Sequence, residues 1–179
     1  MRRALTALVA VVLLSACSSG PYAFNSGADH NSQSNPARVG QTVTAVLIFL
    51  EVRPGDRIDL LRAEPVGSID GASVRLLLSR PVVHANGDKV IGEVLEPLDG
   101  AEATAASASP GSDPFLNTVG IVGELTAQRP GRYEVTSVRL HYRVNGGGER
   151  VGEGIDVVWT VCADDPAPPD CEVEPSPAE

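Results

Sequence analysis

Lysine is almost missing from this chain: Lys89 is the only one among 14 basic residues. Methionine occurs only at position 1, and aromatic residues make up 4%. The 179 residues carry 23 acidic groups and a net charge of -9, which argues against the clustered positive charge that binds nucleic-acid phosphates. Without a methionine beyond Met1, thioether copper carriers and blue-copper centres with an axial methionine are disfavoured. The apolar run Ala4–Leu14, with Thr6 as its one polar member, is too short to span a bilayer as a permanent helix. No segment keeps a helical period over three turns.

The usual catalytic patterns are missing as well. Gly146-Gly147-Gly148 is followed by no Lys-Ser/Thr pair and no helix, so it is not a phosphate loop. There is no G-x-S-x-G and no convincing Ser-His-Asp set. His30, His84 and His141 lie far apart in the chain. The expectation is a protein that is not an enzyme and holds no metal or cofactor. Asp164, Asp165, Asp170, Glu172, Glu174 and Glu179 make an acidic end with no basic residue. It reads as a solvated, repelling tail, with a weak Ca²⁺ site as the alternative, since hard cations want oxygen ligands.

What is present begins at the amino terminus. Arg2 and Arg3 precede the apolar run, and Ser15 and Ala16 lead to Cys17. The stretch Leu14-Ser15-Ala16-Cys17 resembles the lipobox of bacterial lipoproteins. The resemblance implies that Cys17 carries a diacylglyceryl thioether, that the signal peptide over 1–16 is cut away, and that the protein is held on the cell membrane facing outside the cytoplasm. The alternative is an ordinary secretory signal cut near Ala16. Each buried methylene contributes about 0.8 kcal/mol to attachment, so two acyl chains hold where one is marginal. Cleavage removes Arg2 and Arg3, and the acidic mature surface is repelled by anionic headgroups. The membrane contact is then the lipid on Cys17. Arginine in place of lysine, with the Ala-rich signal, resembles actinobacterial lipoproteins.

Residues 17–37 read as a tether of small and polar groups, in which Tyr22 and Phe24 are the only large apolar ones. As a flexible coil it reaches roughly 25 Å; the alternative is that Tyr22 and Phe24 dock and order part of it. From 38 to 162 the pattern is β. Gly and Pro number 18 and 14, which favours turns and strands. Ala45–Leu50 is apolar on both parities, which predicts a strand covered on both sides or a bulge that switches faces. Val74, Leu76 and Leu78 share one face. Asn86-Gly87 reads as a type I′ hairpin turn, and Asn145 to Gly154 as a flexible hairpin loop. Residues 98–117 form a long loop region, in which Ala101–Ala108 is a candidate helical turn. Tyr133 and Val135 share one parity, whereas Val138, Leu140, Tyr142 and Val144 share the other, so a bulge is expected at Thr136-Ser137. Trp159 is expected in the core.

Short strands with frequent turns predict an all-β antiparallel sandwich. In pattern this resembles the immunoglobulin-like domains of bacterial envelope proteins. Arg132 to Val135, Arg143 to Gly146 and the end at Cys162 to Asp165 resemble actinobacterial lipoproteins of uncharacterised function, so no activity comes with the likeness.

Cys162 and Cys171 lie outside the cytoplasm on this reading, and their spacing fits neither a zinc nor a redox motif. They are expected to form a disulfide that pins the tail over 163–179. With Cys17 lipidated, none of the three thiols is left over. Arg139, His141 and Arg143 alternate along one strand as an outward basic stripe. They are the candidate partner-binding residues, for an acidic envelope protein or an anionic cell-wall polymer, against the plainer reading of a solvated face. The functional expectation is a non-catalytic interaction or structural module of the cell envelope. The alternative is a carrier of a small hydrophobic ligand or lipid, which needs a cavity of about 300 Å³ or more.

Overall fold

The computed structural model describes residues 24–25, 31–104, 113–154, 157–169 and 171. The signal, Cys17, His30, Asp170 and the tail beyond Cys171 lie outside the described residues. Thirteen strands form among the described residues: β1 (Phe24–Asn25), β2 (Asn31–Arg38), β3 (Thr42–Glu51), β4 (Arg57–Ser68), β5 (Ala72–Ser79), β6 (Val82–Val83), β7 (Lys89–Val90), β8 (Leu95–Pro97), β9 (Glu102–Thr104), β10 (Thr118–Ala127), β11 (Gly131–Val144), β12 (Arg150–Gly154) and β13 (Val157–Asp164). One sheet has the order β1-β3-β10-β5-β8 and the other β2-β13-β11-β4-β9, with β12 also on β11. β3 and β4, β4 and β5, and β10 and β11 each pass from one sheet to the other. The result is an immunoglobulin-like β-sandwich.

Two bulges resolve the mixed parities. In the β3–β10 ladder Ile121 faces Ile48 while Val122 faces Val46, which leaves Leu47 as the extra residue. Leu47 and Ile48 are therefore buried side by side, and the face-switching reading of Ala45–Leu50 is the one realised. In the β11–β4 ladder Val135 pairs with Gly67 and Ser137 with Val66, so Thr136 is the extra residue. The bulge carries Tyr133, Val135, Val138, Leu140 and Tyr142 all into the core.

The core closes around Trp159, which is fully buried on β13. Its Nε1–H donates to Asn35 Oδ1 at 2.8 Å. Gly123 of β10 makes room for the ring, because a Cβ there would lie 2.7 Å from Trp159 Cζ3 and 2.9 Å from Leu47 Cδ1. At the start of β11, the Tyr133 hydroxyl donates to the Arg129 carbonyl oxygen at 2.7 Å. That is the tyrosine corner of immunoglobulin-like domains. Sequence reading missed it, although Gly131-Arg132-Tyr133-Glu134-Val135, a Tyr at a strand start after Pro130-Gly131, carried the signal.

Four expectations are corrected. The tether is shorter than 17–37, since Asn31–Arg38 is β2, paired in parallel with β13 along its whole length. Its polar sequence gave no strand signal because the ladder, buried Ala37 and the Asn35–Trp159 bond hold it. The sandwich is therefore antiparallel except at this edge. Glu102–Thr104 of the candidate helical turn is strand β9. At Asn86-Gly87 only the glycine has a positive φ (89°), so the turn is not type I′. The type I′ geometry sits at Asn145-Gly146, with φ of 53° and 70°. Asn145 tolerates that conformation because three hydrogen bonds hold it. Its N–H donates to Arg57 O, its Oδ1 accepts from Arg57 N, and its Nδ2 donates to Asp56 Oδ1.

The two flanks of the sandwich differ. One is bordered by β1 on the first sheet and β2 on the second. The other is only half covered. β8 pairs with β5 at Leu77–Ser79, and β9 pairs with β4 at Arg57–Asp59.

Candidate functional site

The candidate stripe lies on the outer face of the second sheet, where β4, β11 and β12 run side by side. Pairing places Glu64, Arg139 and Glu153 in one row and Arg62, His141 and Val151 in the next. Arg139 and His141 thereby meet carboxylates from β4 and from the returning hairpin. Arg139 lies 3.8 Å from Glu64 and 3.6 Å from Glu153. Glu153 also accepts from the Ser137 hydroxyl at 2.7 Å. Arg62 lies 3.3 Å from Glu64.

His141 does not face solvent as expected; it is 7% exposed. Its Nδ1 lies 2.9 Å from Glu149 Oε1, and its Nε2 lies 3.6 Å from Glu64 Oε1. Arg62 Nη2 is 3.4 Å from Nδ1 and 3.3 Å from Nε2. A point equidistant from both nitrogens in the ring plane would collide with Cε1, so the guanidinium lies over the ring. Hydrogen bonding to His141 holds the Glu149 carboxyl below the ordinary glutamate range; burial opposes this, and the charges of His141, Arg62 and Arg143 assist it. Arg143, further along β11 and opposite Asp59, is exposed.

Three arginines thus stand against three glutamates around one imidazole, and the face carries no net positive charge. Exposed pairs of this kind contribute about 0–1 kcal/mol each. Their chief effect is to fix side-chain positions and cover His141.

The remaining candidates are separate from this face. Cys162 and Cys171 form a disulfide with Cα atoms 5.7 Å apart, which ties the chain after β13 back to that strand. His84 pairs with Glu93 at 3.1 Å on the β6–β7 arm. The long 98–117 connection contains β9 and ends in a 3₁₀ turn at Pro114–Asn117, whose first N–H groups are capped by Asp113. Lys89 pairs with Asp113 and lies 5.9 Å over the Phe115 ring. The hydrogen bond from Lys89, then that from Phe115 N–H, lowers the Asp113 carboxyl below its usual range. Among the described residues, no three His, Cys, Asp or Glu side chains are grouped to hold a metal ion. None of their helices is long and apolar enough to cross a membrane.

No protein-family model and no curated protein matches the chain. Among solved structures, a PapD-like domain of human CEP192 aligns with 91% of this chain and 97% of its own, at 9% identity and a TM-score of 0.37. A family 123 glycoside hydrolase from Clostridium perfringens aligns with 74% of this chain at 6% identity and a TM-score of 0.38; only 22% of that enzyme is covered. At such values neither likeness carries a family or an activity to this chain.

Proposed function

We propose that the protein is a lipid-anchored, extracytoplasmic interaction module of the cell envelope, non-catalytic, attached through Cys17 and presenting its sandwich to a protein partner. One observation carries most of the weight. The chain has three cysteines, and Cys162 and Cys171 are joined to each other. The thiol left over is the one at the lipobox, where lipidation consumes it. The charged face adds a constraint on the partner. Arg62 and Arg139 are already paired with carboxylates, so an anionic cell-wall polymer gains little from them.

The test is metabolic labelling with an alkyne fatty acid in a bacterial host that expresses the full chain. The mature protein should carry the label, sediment with membranes and begin at Cys17 by mass. Cys17→Ser should lose the label and leave the membrane fraction. An unlabelled wild-type chain in the soluble extract would overturn the anchor.

A further inference from the structure

The half-covered flank has a shape that neither the charged face nor the anchor explains. β8 ends at Pro97, and the chain turns away at once, with Gly100 N donating to Leu60 O and Ala101 N to Leu98 O. Beyond that point, Ala72–Leu76 of β5 has no strand partner on its outer edge among the described residues. Val74 and Leu76 are on the inner side of the sheet and pack against the core, yet they are only half-buried. Their neighbours Ile121 and Leu125 on β10 are fully buried. A cleft of about 320 Å³ opens here, between Ala63 of β4 on one side and Leu98 on the other.

Four successive residues of β5, Val74 to Leu77, line this cleft. Successive side chains of a strand point to opposite faces. A wall made by residues of both parities is therefore the edge of the strand, where the backbone N–H and C=O groups are. The opposing wall is blunted against pairing, because the exposed half of β4 contains Pro65, Gly67 and the charged pair Arg62–Glu64. β5 has none of these stops over Ala72–Leu76 except Arg75, and Arg75 is drawn to Glu124 at 3.2 Å.

We propose that this flank takes up an extended peptide segment of a partner protein as an added β-strand, collinear with β8 and antiparallel to β5. The inference rests on the interaction-module reading and names the class of partner. An unpaired backbone edge is satisfied by another backbone, with affinity from main-chain bonds and specificity from alternate side chains. A second copy of this chain does not fit the role. Five residues of edge run roughly 17 Å, and a sandwich is about 10 Å deep, a footprint far below the ~1,200 Å² of a stable interface. The side chains that enter the cleft meet Ala63, Val74, Leu76 and Leu98, so small apolar ones suit it. Asp99, exposed at the lip and without an ion-pair partner among the described residues, selects a basic residue at the end of the segment that passes it.

The experiment uses the full chain in detergent with its disulfide intact, and a phage-displayed library of linear eight-residue peptides. Enriched peptides should alternate small apolar residues and carry Lys or Arg near one end. On binding, hydrogen exchange should slow at the amides of Val74 and Leu76, which face away from β10, whereas the Ala72 N–H is already bonded to Ile69 O. A synthetic winner is then N-methylated at alternate residues in two patterns. One pattern should weaken binding at least tenfold and the other little, because only one row of N–H groups faces β5. Ala63→Phe, which fills the cleft, should weaken binding by a similar factor, and Arg139→Glu should leave it unchanged.

Equal effects of the two N-methyl patterns would overturn strand addition and leave the module reading intact. So would protection confined to β11 and β12. Failure to enrich any peptide above the naive library would overturn it too. A fluorescent fatty acid that binds in an Ala63→Phe-sensitive way, with no peptide binding, would assign the cleft to a small apolar ligand instead.

Discussion

Gly123 and Trp159 test how tightly the two sheets are matched. A methyl group at position 123 would stand 2.7 Å and 3.3 Å from two atoms of the indole and 2.9 Å from Leu47 Cδ1. The ring has little freedom to retreat. It is fully buried, and its Nε1–H is engaged by Asn35 at 2.8 Å. Overpacking of this kind costs about 1–3 kcal/mol. Replacing a strand glycine by alanine returns about 0.5–1 kcal/mol through the unfolded chain. Gly123→Ala should therefore destabilise by a net ~0.5–2 kcal/mol.

Trp159→Phe should also destabilise, because it empties volume and strands the Asn35 carbonyl oxygen. In the double variant the alanine methyl enters the vacated space, and the two losses should fall short of their sum by about 1–2 kcal/mol. Urea unfolding followed by far-ultraviolet circular dichroism measures all four proteins, since the only tryptophan is lost in two of them. Additivity within about 0.5 kcal/mol would show that the contact between the sheets is looser than the structure has it.

Three further outcomes are expected. Tyr133→Phe removes the bond to the Arg129 carbonyl and should lower stability by about 1–2 kcal/mol, read as a fall of several degrees in Tm; an unchanged Tm would remove the corner as a structural element. Replacing Cys162 and Cys171 together by serine opens a loop of about ten residues and should cost ~2.7 kcal/mol in urea; an unchanged midpoint would mean that the bridge does not constrain the unfolded chain. Because the Glu149 carboxyl is held below its usual range in the folded protein, its stabilising contribution is present above the ordinary glutamate range. It is lost as pH falls through the lowered value. The urea midpoint of the wild type should thus fall more steeply on the acid side than that of Glu149→Gln, and parallel curves would detach Glu149 from stability.

Much of the sandwich was legible because its signals are local. The change of parity at Thr136 and the double apolar parity of Ala45–Leu50 each announced a bulge, since alternation along one strand records which face is buried. β2 gave no such record. Asn31 to Arg38 is polar almost throughout, and its place is set by a parallel ladder to a strand more than a hundred residues away. The two Asn-Gly pairs were read the wrong way round for a related reason. Both permit positive φ, and the choice at Asn145 is made by Asp56 and Arg57, which a local reading does not see.

The charged stripe shows the same limit at the level of function. Along β11 alone, Arg139, His141 and Arg143 are three basic groups at alternate positions. Across the sheet Arg139 and His141 meet Glu64 from β4 and Glu149 and Glu153 from the returning hairpin. Pairing of this kind covers the imidazole, which is 7% exposed, and engages Arg139. The proposed strand partner would instead use main-chain groups at the edge of β5. Their position also suits a tethered protein. The chain joins the second sheet through β2 at one border, while β4 and β9 lie toward the other, beside the cleft. The proposed anchor, which precedes β2, and the proposed strand beside β5 would therefore use opposite flanks of the sandwich, so that occupying one would leave the other open.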